Sequence, residues 1–397
     1  MRTRPRLARS LATVACGAVL ALVFAAPAAA DPTRDQQWAL GLLQAGRLAQ
    51  ISQGEGVTVA VINTGVDPNH PDLTGSVLKG INTDSKSGPT SDMAGIGTGM
   101  ASIIAGHGHG AGGRDGVLGI APKAKILPVR LGDQVVFGQP DRLADGIMAA
   151  TDAGAKVICV AYSLSDSDNL LKAIGYAWTK GAIVVAASGK VSDNRSIVWP
   201  ARYKGVVAVG VAGRDGNVDP GVSPEGDFAS PLTVVAPGVD IVAATLRGRY
   251  ETGSSTVHAA AYVAGVAALI MAKYPSTTPA GVLQRLRDSA EDRGRPGLDD
   301  AYGYGLVDPV QALAANVPPR AAPSAGASQS AAPAPAGPKK SKFWYRTLLV
   351  TTITLICASP VALVVGAVLL IRRSRRRRRA GPVAVSSQGD RAHVHHP

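Results

Sequence analysis

The stretch "GVTVAVINTGVDPNHPDL" (residues 56–73) runs without a charge from Val57 to Val66. Its apolar positions are contiguous rather than alternating, and three of the first six are valine. That is the pattern of a strand covered on both faces, as in a parallel sheet. It ends on a polar residue, Asn63, before Gly65 and a proline-containing turn. In open parallel sheets, chemistry gathers where strands end at their carboxyl termini.

Similar runs recur at "AKILPVRL", "AKVICVAYSL", "AIVVAASG" and "GVVAVGVAG". Between several of them lie segments with helical apolar spacing, such as "DRLADGIMAATDAG" and "DNLLKAIGYAWTKG". Strands alternating with helices predict βαβ units and an α/β class fold: a doubly wound, mainly parallel sheet with helices on both faces. "DQQWALGLLQAGRLAQ" (residues 35–50) predicts a short helix ahead of the first strand.

The ends of the 397-residue chain are specialised. Residues 1–30 carry four arginines, then an apolar run closing on "APAAA", which predicts a secretory signal peptide. Residues 31–53 form an N-terminal extension and residues 54–315 the globular domain. Residues 316–342 are a Pro/Ala/Ser-rich linker whose composition cannot bury a core. Within 343–371, the 25 residues from Thr347 to Ile371 are uncharged and long enough to span a bilayer. Phe343, Trp344 and Tyr345 precede the span as interfacial aromatics, and "RRSRRRRR" opens a basic tail, 372–397. The heavier arginine load on that side predicts a cytoplasmic tail, an extracytoplasmic domain and a single-pass cell-membrane protein.

The formal charge of +13 misleads about the domain. The leader carries +4 and residues 339–397 carry +11, which leaves −2 for the exported body. Nucleic-acid binding by that body is therefore disfavoured, and the arginine block is read as membrane orientation and attraction to anionic lipid. Cys159 is the one cysteine of the body and predicts a small buried hydrophobe rather than a disulfide.

Three places have the character of strand ends or helix tips: "AVINTGVDPNHPDL", "GIGTGMASIIAGHG" and "GSSTVHAAAYVAG". Their order and separations, 33 residues and then 161 from Asn63 to Ile96 to Val257, fit an Asp, His, Ser chain order. On these motifs the chain resembles the subtilisin-like serine peptidases, family S8. The resemblance is nearest to the mycosins, the membrane-anchored subtilases of type VII secretion. Family patterns are "VAVIDTGVD…HPDL", "GHGTxxAxxIAG", "AAxGN" and "GTSxAAPxVAG". Here they read "VAVINTGVDPNHPDL", "GIGTGMASIIAG", "AASGK" and "SSTVHAAAYVAG", with "GYGLVDPVQAL" near the domain end.

The resemblance places the family's aspartate at Asn63, its histidine at Ile96, its nucleophile at Val257 and its side-chain oxyanion donor at Lys190. An amide in place of the carboxylate favours the wrong imidazole tautomer, at a cost of about 10⁴-fold in a Ser-His-Asp triad. Isoleucine cannot carry a proton, and valine has no lone pair with which to attack a carbonyl. A lysine can still donate to an oxyanion. The expectation is a peptidase homologue without catalysis, with an active endopeptidase of atypical site and a non-cleaving peptide-binding module as alternatives. The resemblance implies a type VII secretion membrane complex as partner.

A rescue dyad of Ser255 or Thr256 with Lys190 is the least implausible new nucleophile. The substrate cleft, by resemblance, includes Ser163, Leu164, Ser165, Asp166, Ser188 and Gly189. Ser165 and Asp166 replace two glycines, which impedes a docking strand. Lys190 is read either as pairing with Asp166 or another local acid, or as snorkelling to the surface. His258 is expected to point away around its helix. His107 and His109 are read as part of an exposed glycine-rich loop, and Asp67, Asp72 and Asp92 as turn residues. Trp38 and Trp178 are read as core or docking residues. His393, His395 and His396 are read as a solvated tail. No metal or cofactor is expected.

Overall fold

The computed structural model describes residues 32–83, 92–132, 139–189, 197–224 and 232–317. The chain divides into units Met1–Pro323 and Ser324–Pro397, and the second lies wholly outside the described residues. The signal peptide, the span at 347–371, the basic tail and Lys190 therefore also lie outside them.

The N-terminal extension forms two short helices rather than one, α1 (Trp38–Leu42) and α2 (Ala45–Ile51). Gln44 between them takes a left-handed φ of 54°. The break folds the segment onto the domain: Leu43 and Leu48 are buried, and the Trp38 indole N–H donates to the Val239 and Asp240 carbonyls at 3.2 Å.

Next come β1 (Thr58–Asn63), β2 (Ile81–Asn82), α3 (Ile96–Ala105), β3 (His107–His109), β4 (Asp115–Leu118) and β5 (Lys125–Arg130). They are followed by α4 (Pro140–Asp152), β6 (Val157–Val160), α5 (Asp168–Thr179), β7 (Ile183–Ala187), β8 (Val207–Ala212) and β9 (Val234–Pro237). The domain ends with the hairpin β10 (Ile241–Ala244) and β11 (Tyr250–Gly253), then α6 (Thr256–Lys273), α7 (Pro279–Asp288) and α8 (Pro309–Ala312). Seven strands form one sheet in the order β2-β5-β1-β6-β7-β8-β9, every pairing parallel. The chain moves out from β1 to β2 and β5, then returns past it to β6. The carboxyl end of β1 is thus a topological switch point, where α/β sheets open a crevice.

The contiguous apolar run of β1 has its reason in the two layers. Val59 and Val61 enter a core with α3 and α6, while Ala60 and Ile62 enter a second core with α4 and α5. Strand alternation puts Asn63 on the face of Val59 and Val61, toward α3 and α6.

Helix α6 is the axis of the first core. Its alanines, valines and Gly265 let it lie close against the sheet and against Ile120. Among the described residues it alone is long and apolar enough to cross a membrane, with 18 residues and mean hydropathy 1.4, yet most of it is buried inside the domain. It starts sharply because the Ser255 hydroxyl accepts from the Val257 N–H at 3.1 Å, a side-chain N-cap.

Candidate functional site

Helix α3 begins without a side-chain cap on its own N-cap residue, Gly95, which has a φ of 80°. Asp92 supplies the missing acceptor. One carboxylate oxygen accepts the Thr64 hydroxyl at 2.8 Å and the Ala94 and Gly95 N–H groups at 3.1 and 3.0 Å. The other accepts the Thr98 N–H at 2.9 Å and its hydroxyl at 2.6 Å. A buried anion at a helix N-terminus is well placed electrostatically. This cluster binds the turn after β1 to the first turn of α3, so Asp92 serves a turn and a helix start together.

Gly97, in the first turn of α3, has no room for a side chain: a Cβ there would collide with the Gly65 carbonyl and stand 3.5 Å from the Asn63 Cβ. Asn63 is fully buried. Its Oδ1 accepts the Thr64 N–H at 2.9 Å, while its Nδ2 has no hydrogen-bond partner among the described residues.

Ile96 and Val257 line one cavity of about 510 Å³. Ile96 is 37% exposed and Val257 is half-buried against the first core. Tyr162, Ser163, Gly189 and the β10–β11 hairpin, including Glu251, complete its walls. Of the other predicted cleft residues, Ser188 is wholly buried behind the wall, its hydroxyl unpartnered among the described residues. Leu164 turns toward the second core, its N–H donating to the Trp199 carbonyl at 3.0 Å. Ser165 and Asp166 are exposed, and Asp166 accepts the Tyr203 hydroxyl at 2.6 Å. Burial, more than that carboxylate, pushes the Tyr203 phenol up to about 12.

The two hydroxyls nearest Val257 are committed. Ser255 Oγ serves the α6 N-cap, and Thr256 Oγ1 donates to the Gly189 carbonyl at 2.8 Å.

Two sequence expectations need correcting and a third needs extending. His258 does not point away: its ring lines the same cavity, because the turn from β11 into α6 lays it against Gly253. Burial pulls its pKa down to about 4, partly opposed by the Gly253 carbonyl, and Nδ1 lacks a partner among the described residues. His107 and His109 are not in an open loop but in β3, paired with β4. Asp72 does lie in a tight turn, Pro71–Leu73, but its carboxylate serves more than the turn: fully buried, it accepts from His109 Nδ1 at 2.6 Å, the Val117 N–H at 2.7 Å and the Tyr250 hydroxyl at 2.9 Å. Asp67 does hold a turn, accepting the Asn69 N–H at 3.0 Å. No sequence signal marked Glu251, Tyr162 or His258 as cavity residues, since each arrives through tertiary placement. Among the described residues no three His, Cys, Asp or Glu side chains gather as a metal would require.

A doubly wound parallel sheet with this crevice is the architecture of the subtilases, and the Subtilase family (peptidase S8) model matches residues 54–305. The chain belongs to that family. It is 37% identical over 259 residues to the Thermophilic serine proteinase of Bacillus sp. (strain AK1), covering 65% of this chain and 62% of that protein. The chain thus spans less than two thirds of that relative's length. Among solved structures it is similar to MycP1 from Mycobacterium smegmatis, with TM-score 0.63 and 29% identity over 75% of this chain and 89% of that one. A further MycP1 structure, described as a serine protease and an essential component of the type VII (ESX-1) secretion system, matches with TM-score 0.59 and 29% identity, covering 72% and 90%.

Proposed function

We propose that this chain is a non-cleaving, mycosin-like subtilase that serves a type VII secretion membrane complex as an assembly or stabilising component. The observation that carries the reading is the pair of aliphatic side chains, Ile96 and Val257, at the cavity where the family's base and nucleophile belong. Neither can move a proton or attack an amide, and proton transfer and nucleophilic attack are the two events acyl transfer requires. Asn63 offers a neutral amide where the family has a carboxylate. The committed hydroxyls of Ser255 and Thr256 weigh against a substitute nucleophile. The secretion partner rests on the likeness to MycP1, and the membrane placement on the uncharged stretch at 347–371.

The test has two arms. Full-length protein solubilised from membranes is incubated with unfolded casein and peptide pools, and products are read by mass spectrometry; no cleavage above buffer is expected. Affinity purification after cross-linking in the native membrane is expected to recover channel subunits and the secretion ATPase. Cleavage that survives repurification would sink the non-catalytic half, and purification of the chain alone would sink the partner.

A further inference from the structure

Two histidines at the β3–β4 hairpin are held in opposite ways. His70 stands between a donor and an acceptor: its Nδ1 accepts the Asp72 N–H at 3.2 Å, and its Nε2 faces the Arg249 carbonyl at 3.2 Å. A neutral imidazole has one N–H and one lone pair, so it satisfies both contacts. His107 stands between two acceptors. Its Nδ1 lies 2.7 Å from the Gly108 carbonyl and its Nε2 2.9 Å from the Thr74 carbonyl. A carbonyl oxygen has no proton to give, so only the imidazolium, with two N–H groups, completes both bonds. Loss of the proton sets a ring lone pair against a carbonyl oxygen at one end or the other.

The Thr74 contact fastens β3 to the chain just after the turn Pro71–Leu73. Asp72 in that turn holds the rest of the hairpin, through His109 on β3 and Val117 on β4. The hairpin in turn carries the N-terminal extension. Arg34 donates to the Gly116 and Gly113 carbonyls at 3.0 and 3.1 Å, and Gln37 exchanges two bonds with the Leu118 backbone at 3.0 and 2.8 Å. The charged and titratable groups on the elements around β3 are His70 and Asp72 at the turn, Asp115 on β4, Arg114 before it, Arg34 on the extension, Lys125 on β5, and Arg249 and Tyr250 at the β10–β11 hairpin. The carboxylates favour a cationic His107 and the other cations oppose it. The two carbonyls in direct contact decide the balance.

We propose that His107 is a proton-operated clasp that pins the β3–β4 hairpin, and with it the N-terminal extension, to the turn at Pro71–Leu73. The closed clasp holds a proton that the open one does not need, so falling pH favours closure and rising pH releases it. Histidine is the side chain that ordinarily changes charge between about pH 5 and 8, so the clasp works across that span. The Asp72 to His109 bond stays in place throughout, because a neutral imidazole still donates one N–H. Opening therefore frees the Thr74 end of the hairpin and the extension, and leaves the sheet intact. The clasp stands apart from the central cavity and does not depend on whether the chain cleaves peptides.

The test is hydrogen exchange of the full chain in lipid nanodiscs, read by mass spectrometry at about pH 5.5 and about pH 8, on either side of the usual histidine charge change, and corrected for the intrinsic pH dependence of exchange. Peptides covering residues 33–44 and 107–118 are expected to be about tenfold better protected at the lower pH, the effect of one hydrogen bond to a charged group. Helix α6 is expected to show no such gain. His107→Gln, which is uncharged at both values, is expected to leave the two segments poorly protected throughout. His107→Arg, which keeps a cation with several N–H donors, is expected to protect them throughout. In solid-state spectra of the chain labelled with nitrogen-15 histidine, the signal missing from His107→Gln is expected to show two protonated ring nitrogens at the lower pH. Protection that does not change with pH, a gain shared equally by α6, an unchanged pH response in His107→Gln, or one unprotonated nitrogen on His107 at the lower pH would overturn the clasp.

Discussion

Thr256 Oγ1 donates to the Gly189 carbonyl at 2.8 Å, so the hydroxyl beside Val257 is spent tying the start of α6 to the end of the β7 segment. The bond fixes the start of α6 whatever residue stands at position 257. It holds two elements of the core together, and that role does not depend on what residue follows.

The same geometry bears on repair. Val257→Ser alone is expected to restore no hydrolysis, because Ile96 still offers no base. A combined Asn63→Asp, Ile96→His and Val257→Ser variant is expected to react with a fluorophosphonate, read as a labelled band on a gel. Labelling of the single variant would contradict this account of Ile96.

Asn63→Asp alone is expected to destabilise the fold by about 2 kcal/mol at neutral pH, within the ordinary range for single substitutions. Asn63 Oδ1 and Asp92 Oδ1 both lie within hydrogen-bonding reach of the Thr64 hydroxyl, at 3.2 and 2.8 Å. A second carboxylate there adds like charge in a buried place, which raises its folded pKa above the unfolded value. The loss should therefore be small at low pH and grow as pH rises. Urea unfolding of both proteins at several pH values measures it.

His258 works in the opposite sense to a salt-bridged histidine. Its ordinary value of 6.5 falls to about 4 in the fold because burial disfavours the imidazolium. Between those values the unfolded chain binds more protons, so stability falls as pH drops from 6.5 through 4. The whole contribution is on the order of 3 kcal/mol. His258→Leu is expected to flatten this part of the curve, and an unchanged slope would show that the ring is not buried in solution.

Two glycines separate close approach from mere flexibility. Gly97→Ala is expected to cost about 1–3 kcal/mol, since its Cβ meets the Gly65 carbonyl and backbone must shift. Gly175→Ala, within α5 and with nothing within 4 Å, is expected to stabilise by about 1 kcal/mol through helix propensity. Thermal unfolding of the pair distinguishes these outcomes.

How much of this was legible in the sequence follows from range. The strands β1, β5, β6, β7 and β8 stand out because parallel strands buried on both faces read as continuous apolar runs. Four-residue β9 and the short hairpins β3–β4 and β10–β11 escaped, being too brief or too polar to show a period. The resemblance to the family motifs singles out Ile96 and Val257, and both line one cavity. The role of Asp72 could not be read, because its partners His109, Val117 and Tyr250 lie 37, 45 and 178 residues away. His258 was misjudged for a related reason. A helical wheel gives its angle around α6 but not the position of the hairpin that meets it.

The most direct measurement is the intact mass of the full-length chain after prolonged exposure to a fluorophosphonate, with peptide mapping of any adduct. The account predicts an unchanged mass under conditions that fully modify an active subtilase control. A single stoichiometric adduct, mapped to Ser255, Thr256 or any other hydroxyl facing the cavity and abolished by its replacement with alanine, would contradict it.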